Sequence, residues 1–111
     1  TNGTYTVVGK KMFEQVVSPN PNVTLVLSGH VLGTAVRFED VDDNGDGAPD
    51  RRVTALMYNY QNADMDCGQL RRLTVDPMAR SLRGLTYSPY QKRYYRDFVY
   101  SSSDFLLENV F

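Results

Sequence analysis

The spacing of hydrophobic residues changes near the start of the chain, from a helical pattern to strand-like runs. Within Lys10–Val17, apolar residues occur at i, i+1, i+4 and i+5 from Met12, which places them on one face of an amphipathic helix. The residues just before it, Thr4–Val8, favour an extended conformation because β-formers predominate. Pro19 and Pro21 must end the helix, since proline lacks an amide donor and restricts the residue before it.

From Val23 onward the pattern predicts β-strands. Val23–Leu27 is apolar on both faces and predicts a buried, central strand. Gly33–Val41 alternates small or apolar residues with polar ones, and Arg52–Tyr60 is rich in β-formers. The turn-forming residues of Asp42–Asp50 lie between these two segments, so we predict a hairpin here.

A second hairpin completes the predicted fold. Its strands are Gln69–Asp76 and Ser81–Tyr87, joined by a turn at residues 77–80. One N-terminal helix followed by five or six strands predicts an α+β fold, with a mostly antiparallel β-sheet or a small sandwich. The helix followed by the apolar run Val23–Leu27 is also typical of the last crossover of a larger layered fold.

Composition and charge limit the classes of protein to which this chain can belong. The chain has 111 residues, enough for a single domain, with 41% hydrophobic residues and a formal net charge of -1. This charge gives no overall attraction to nucleic acid, and no apolar run approaches the roughly 20 residues of a membrane helix. We therefore expect neither nucleic-acid partners nor membrane insertion. The single cysteine, Cys67, excludes an intrachain disulfide. The sequence starts at Thr1 instead of methionine, which favours a segment of a larger protein.

His30 is the only histidine and the first candidate for chemistry. It follows the apolar run Val23–Leu27 and lies between Gly29 and Gly33, where a loop leaves a side chain accessible. Metal ligands and general bases favour such positions, because a rigid strand fixes the residue that follows it. The alternative is a histidine that bonds a neighbouring carbonyl, because the chain contains no second histidine to act with it.

The acidic segment Asp42–Asp50 is the second candidate. Its D-x-N-x-D-G-x-x-D pattern resembles the calcium loops of dockerins and thrombospondin type 3 repeats. Oxygen ligands at alternate positions let a loop surround a hard cation, and glycine permits the sharp bend. By that pattern the Ca²⁺ ligands are the side chains of Asp42, Asn44, Asp46 and Asp50 and the carbonyl of Ala48. Val53 stands where an EF-hand has a bidentate glutamate, so we expect weak affinity for Ca²⁺. The alternative interpretation of Asp42–Asp50 is a solvated hairpin turn that binds no cation.

A basic and aromatic run at residues 92–96, KRYYR, is the third candidate. Tyrosines interleaved with arginines can stack on bases or bind phosphate. In an acidic chain with no recognition module, a surface segment is the simpler interpretation. Cys67 has no base partner close in sequence and is not expected to act as a nucleophile.

Four phrases occur in an order that resembles a known family. The phrases are Leu25–Gly33 (LVLSGHVLG), Tyr58–Gln61 (YNYQ), Gly68–Pro77 (GQLRRLTVDP) and Leu85–Tyr90 (LTYSPY). Together they resemble the C-terminal end of calcineurin-like metallophosphoesterases, in particular bacterial secreted or envelope members. The resemblance implies that residues 1–111 are a single C-terminal portion of a larger phosphate ester hydrolase, secreted or in the cell envelope, whose upstream part is a partner of this segment.

The resemblance also implies a two-metal centre in the parent protein, to which this chain contributes little. The family motif is Gly-His-x-His, in which both histidines bind divalent metals. Gly29 and His30 match, whereas Leu32 stands at the second histidine and cannot bind a metal. The family's other ligand motifs are absent from this chain, so we expect the isolated chain to be inactive.

Two further expectations concern assembly and an alternative function. An excised piece exposes the edges of the strand at 23–27, so homodimer formation through strand edges is expected. The alternative function is a calcium-stabilised β-rich structural or interaction module of a secreted bacterial protein.

Overall fold

One helix precedes seven β-strands in the computed structural model, which describes residues 5–61, 68–95 and 103–111. Helix α1 spans Val7–Met12 and continues as a π-helical turn over Phe13–Val17. The strands are β1 (Leu25–Ser28), β2 (Gly33–Val41), β3 (Arg51–Asn59), β4 (Leu70–Asp76), β5 (Ser81–Ser88), β6 (Arg93–Tyr95) and β7 (Asp104–Leu107).

The strands form two sheets. The first has the order β1-β3-β2, in which β1 runs parallel to β3 and β2 runs antiparallel to it. In the second sheet β5 pairs with β4 along one edge. The other edge of β5 pairs with β7 over residues 82–85 and with β6 over residues 86–88, so these two short strands lie end to end. All of these pairings except β1 with β3 are antiparallel, which confirms the predicted α+β class with a β-rich body.

Strand β3 has a hydrophobic core on each of its faces. Val53 packs with Val17 of the helical segment, whereas Leu56 points to the opposite face and packs with Leu82 of β5. The helix, the first sheet and the second sheet therefore form three successive layers, with the first sheet in the middle.

Both predicted hairpins are present. β2 and β3 pair from Val41 opposite Arg51, so residues 42–50 form the connecting loop. β4 and β5 pair from Asp76 opposite Ser81. Strand β2 has the bounds expected from its alternating pattern, and the other strands of the hairpins differ by about one residue.

The helix starts earlier than predicted. Val7 and Val8 are helical, not extended, because the hydroxyl oxygen of Thr6 caps the helix by accepting a hydrogen bond from the Gly9 amide at 3.1 Å. This cap outweighs the β preference of the two valines. The helical segment ends at Val17, before the prolines, as expected.

The expectation of a central strand at Val23–Leu27 was wrong. The strand spans Leu25–Ser28 and lies at the edge of its sheet, with β3 as its only neighbour among the described residues. Leu27 remains 60% exposed, so the run is apolar without being buried on both faces. A continuous apolar run does not distinguish a central strand from an edge strand whose partner is elsewhere.

None of the helices in the described ranges has the length and apolar character needed to cross a membrane.

Candidate functional site

His30 lies in the turn that follows the carboxyl end of β1. Its side chain is exposed, and its backbone has a φ of +74°, a left-handed conformation that non-glycine residues adopt at a cost of roughly 1–2 kcal/mol. The side-chain amide of Asn59, which is buried at the end of β3, donates a hydrogen bond to the His30 carbonyl at 2.7 Å. The same Asn59 accepts a hydrogen bond from the Gln61 amide at 3.1 Å. The imidazole is thus presented to solvent on a turn that a neighbouring strand holds in place.

The residues around His30 do not form a two-metal centre. Among residues 5–61, 68–95 and 103–111, no three His, Cys, Asp or Glu side chains are close enough together to hold a metal ion. Leu32, two residues after His30, is half exposed and offers only an alkyl side chain. The described part of the chain therefore supplies one imidazole and does not fit a binuclear metal site by itself.

The acidic loop between β2 and β3 is held by hydrogen bonds from its own backbone. The Asp42 carboxylate accepts from the amides of Gly45 (2.6 Å) and Gly47 (2.8 Å). Asp50 accepts from the amides of Asp43 (2.8 Å) and Asn44 (3.2 Å).

Two of the other predicted ligands make similar local contacts. The Asn44 side-chain oxygen accepts from the Asp46 amide at 2.8 Å, and Asp46 accepts from the Ala48 amide at 2.9 Å. All four predicted side-chain ligands therefore turn back onto the loop, although they do not converge as a group of three carboxylates within the described residues. These contacts also lower the pKa of the Asp42 carboxyl, mainly through the amides of Gly47 and Gly45, because each donor stabilises the ionised form.

Arg51 joins this loop to the rest of the molecule. Its Nε forms an ion pair with Asp43 at 2.7 Å, and its guanidinium is almost buried. It also donates to the carbonyls of Val17 (3.2 Å), Ser18 (2.9 Å) and Val23 (2.8 Å). The arginine thus caps the C-terminus of the helical segment, which leaves unpaired carbonyls, and fixes the approach to β1. This role was not predicted from the sequence, because the carbonyls that Arg51 contacts lie 28 to 34 positions before it.

Arg71 of β4 extends from the second sheet to side chains of the first sheet. Its guanidinium lies 4.2 Å from the centre of the Tyr58 ring and donates to the Thr34 hydroxyl at 3.1 Å. Burial lowers the pKa of the Arg71 guanidinium, and the neighbouring phenols of Tyr58 and Tyr60 oppose that effect. Because Thr34 and Tyr58 belong to the first sheet and Arg71 to the second, this side chain connects the two sheets.

The structure describes residues 92–95 of the basic and aromatic run at 92–96. Residues 93–95 form β6, in which the Arg93 guanidinium lies 4.6 Å from the centre of the Tyr95 ring. Tyr94 packs on Tyr87 across the strands, with ring centres 5.0 Å apart. Arg93 and Tyr94 are exposed on this strand, whereas Tyr95 is buried. Arg96 and Cys67 lie outside the described residues.

Comparison with known proteins gives one relative of substantial similarity. No protein-family model matches the chain, and no solved structure matches it. The chain is 39% identical, over 106 residues, to the uncharacterized protein YvnB of Bacillus subtilis strain 168. The similarity covers 93% of this chain but 8% of YvnB, so the chain corresponds to a small part of that much longer protein.

Proposed function

We propose that this chain is the C-terminal segment of a calcineurin-like phosphoesterase, a metal-dependent phosphate ester hydrolase in its parent protein. The observation that carries the proposal is the placement of His30, exposed in a turn at the carboxyl end of β1 and held there by Asn59. Ligand sites in open α/β sheets form outside the carboxyl ends of parallel strands, and β1 is parallel to β3.

In this proposal the chain supplies one ligand and a scaffold. The His30 imidazole binds one divalent metal, and Asn59 positions it through the backbone. The remaining ligands come from other parts of the parent protein, since the described residues offer no further cluster of them. The 111-residue chain alone is therefore inactive.

Hydrolysis of bis(p-nitrophenyl) phosphate with Mn²⁺ tests the proposal in the longer protein that contains this segment. We expect His30→Ala to lower the rate and the metal affinity by at least about tenfold, because one ligand is lost. Val31→Ala, at the next exposed position, is the control and leaves both unchanged. The 111-residue chain serves as a second control and shows no hydrolysis. A longer protein that hydrolyses the ester equally well with and without His30 contradicts the proposed role.

A calcium-stabilised module is the second candidate function. It is favoured by a feature that Asp42, Asn44, Asp46 and Asp50 share, since each side chain accepts a hydrogen bond from a backbone amide of the same loop. Carboxylate, amide and carbonyl oxygens are the ligands that Ca²⁺ takes, and the absence of a bidentate glutamate predicts a Kd of about 10⁻⁴–10⁻³ M.

Calcium titration by calorimetry tests this second candidate. We expect binding heat for the unmodified chain and none for Asp46→Ala. Asp76→Ala is a matched control, because Asp76 also accepts a hydrogen bond from a turn amide, that of Ala79 at 3.0 Å, in the other hairpin. No calcium-dependent heat from the unmodified chain would retire the site.

A further inference from the structure

The loop between β2 and β3 contains a dipeptide with its own covalent chemistry, Asn44–Gly45. In an Asn–Gly pair the backbone nitrogen of the glycine can attack the side-chain carbonyl carbon of the asparagine, because glycine has no side chain to hinder the approach. Asn44 and Gly45 are both exposed, and Gly45 has a φ of +79°. Water and hydroxide, which the reaction also needs, therefore reach this dipeptide.

Hydrogen bonds of the loop hold both of the groups that react. The Gly45 amide, which is the nucleophile, donates to Oδ1 of Asp42 at 2.6 Å. The Asn44 carboxamide is held at both ends, since its oxygen accepts from the Asp46 amide at 2.8 Å and its Nδ2 donates to Asp50 at 3.2 Å. The nucleophile and the carbon that it attacks are thus fixed separately.

The Asp42 carboxylate also opposes the first step of the reaction. The Gly45 nitrogen attacks after it has lost its proton, and the resulting anion would lie at hydrogen-bond distance from a carboxylate. Like charges at this distance repel each other, so the proton is harder to remove. The second carboxylate oxygen accepts from the Gly47 amide at 2.8 Å, which keeps the Asp42 side chain in this position.

We propose that Asn44 is a site of slow covalent modification to aspartate or isoaspartate, and that Asp42 sets the rate by holding the Gly45 amide. The amide gives its proton to hydroxide, and its nitrogen forms a bond to Cγ of Asn44. The Cγ–Nδ2 bond breaks, and the leaving nitrogen takes a proton from water to become ammonia. Water then adds to either carbonyl of the cyclic imide and breaks one of its C–N bonds. This inference goes beyond both proposed functions and requires neither a phosphate ester nor calcium.

The modification changes the contacts of the loop. A carboxylate at position 44 cannot donate to Asp50 as the Asn44 amide does, and it adds a negative charge next to Asp43. Isoaspartate also lengthens the backbone, which displaces the two amides that Asp42 holds. The modified loop therefore loses part of the hydrogen bonding that fixes it.

Peptide mass spectrometry measures the reaction in the 111-residue chain, kept at neutral pH with a chelator so that no cation occupies the loop. The folded chain is compared with the same chain in urea, and Asp42→Ala is measured in both conditions. Asp40→Ala is the charge-matched control, because Asp40 is also exposed close to the loop but pairs with Arg52 at 2.7 Å. Asn2–Gly3, the other Asn–Gly dipeptide in the sequence, is the internal reference in each sample.

We expect Asn44 to react at least about tenfold more slowly in the folded chain than in urea, because a charge-assisted hydrogen bond must first break. Asp42→Ala raises the folded rate at least about tenfold and leaves the rate in urea and the rate at Asn2 unchanged. Asp40→Ala has no effect at Asn44. A mixture of aspartate and isoaspartate identifies the cyclic intermediate.

Three results would overturn the proposal. Equal rates in the folded chain and in urea would mean that the loop does not hold the reacting groups. A rate that Asp42→Ala leaves unchanged or lowers would mean that the carboxylate has no effect or acts as a base. Aspartate without isoaspartate would mean that water attacks Asn44 directly.

Asp42→Asn provides a second variant with a smaller change in the loop. It keeps the shape of the side chain and one acceptor oxygen but removes the charge. We expect its rate at Asn44 to lie between those of the unmodified chain and Asp42→Ala, in a chain that circular dichroism shows to be folded. A folded Asp42→Asn chain that reacts at the unmodified rate would contradict the role of the carboxylate.

Discussion

A guanidinium that is removed from water must replace the hydrogen bonds it loses, and Arg51 does so with Asp43 and three backbone carbonyls. These carbonyls lie at the end of the helical segment and before β1. Arg52, the next residue, forms an ion pair with Asp40 in which both side chains are about half exposed. The adjacent residues Arg51 and Arg52 therefore differ mainly in burial. Substituting each in turn shows how burial affects the contribution of an arginine to the free energy of unfolding.

We expect Arg51→Met to lower the free energy of unfolding by about 2–4 kcal/mol, because several charge-assisted hydrogen bonds are lost and their part-buried carbonyl partners lose a donor. Arg52→Met has a much smaller effect, because an exposed ion pair contributes little in water. Urea unfolding of both variants measures the difference. Equal costs would contradict the role of Arg51 in fixing the helix end.

The Asp42 carboxyl predicts a pH dependence confined to acid. Hydrogen bonds from Gly47 and Gly45 lower its pKa in the folded chain below the ordinary value of 3.8. The ionised form is thus stabilised by folding. This contribution is present above pH 3.8 and is lost as the pH falls through the lowered pKa.

Carboxyl carbon NMR of the folded chain measures this pKa directly, with the urea-unfolded chain as the control. The expected titration midpoint lies below 3.8 for the folded chain and near it for the unfolded one. In Asp42→Asn the unfolding free energy changes less between about pH 5 and pH 2 than it does in the unmodified chain. A folded midpoint at or above the unfolded one excludes the hydrogen-bonded arrangement of the loop.

Among the elements, the sequence predicted those features that depend on residues close together in the chain. The turn residues of Asp42–Asp50 and the alternation of Gly33–Val41 act within a few residues, so the loop and the bounds of β2 were predicted, and β3 is shifted by one residue. The position of β1 in its sheet depends on strands far along the chain, and the apolar run at 23–27 carries no information about them. Only the cap on Thr6, not the β preference of the residues after it, could have located the helix start.

The same division applies to the candidate site. The position of His30 after a strand follows from the order of the sequence, and the structure confirms that place. Its support by Asn59 is a contact between residues 29 positions apart, which a single sequence does not reveal. The contacts of Arg51 with the helix end span a similar distance along the chain and were missed for the same reason.

The pairing of β5 with β7 depends on Gly84. Gly84 lies opposite Phe105, and a methyl group built on Gly84 would overlap the Phe105 ring, which covers the glycine backbone. We expect Gly84→Ala to lower the unfolding free energy by about 1–3 kcal/mol, because the ring must leave its position. In a Phe105→Ala background the same change costs far less. A thermodynamic cycle from urea unfolding checks this, and additive effects would contradict the overlap.

For the whole molecule, the core between the two sheets is the main source of cooperativity. Leu82 is fully buried and packs with Leu56 of the first sheet and Val110 near the C-terminus. Because this core includes side chains from both sheets, neither sheet keeps its inner face covered when the other unfolds.

We therefore expect Leu82→Ala to lower the unfolding free energy by about 2–5 kcal/mol while unfolding remains a single transition. Tyrosine near-ultraviolet and backbone far-ultraviolet circular dichroism report that transition together. Leu70→Ala, at an exposed position of β4, is the control and changes stability by less than about 0.5 kcal/mol. Separate transitions for the two signals would show that the sheets unfold independently.

β6 and β7 lie end to end along one edge of β5, and this placement affects how slowly the amide hydrogens of β5 exchange with solvent. β5 has β4 on its other edge, so residues 82–87 have a paired strand on both sides. Their amide hydrogens exchange with solvent only when the second sheet comes apart, whereas the ends of short strands fray with little cost. In heavy water the amides of β5 are thus expected to be among the last to exchange, and they mark the part of the chain that opens last.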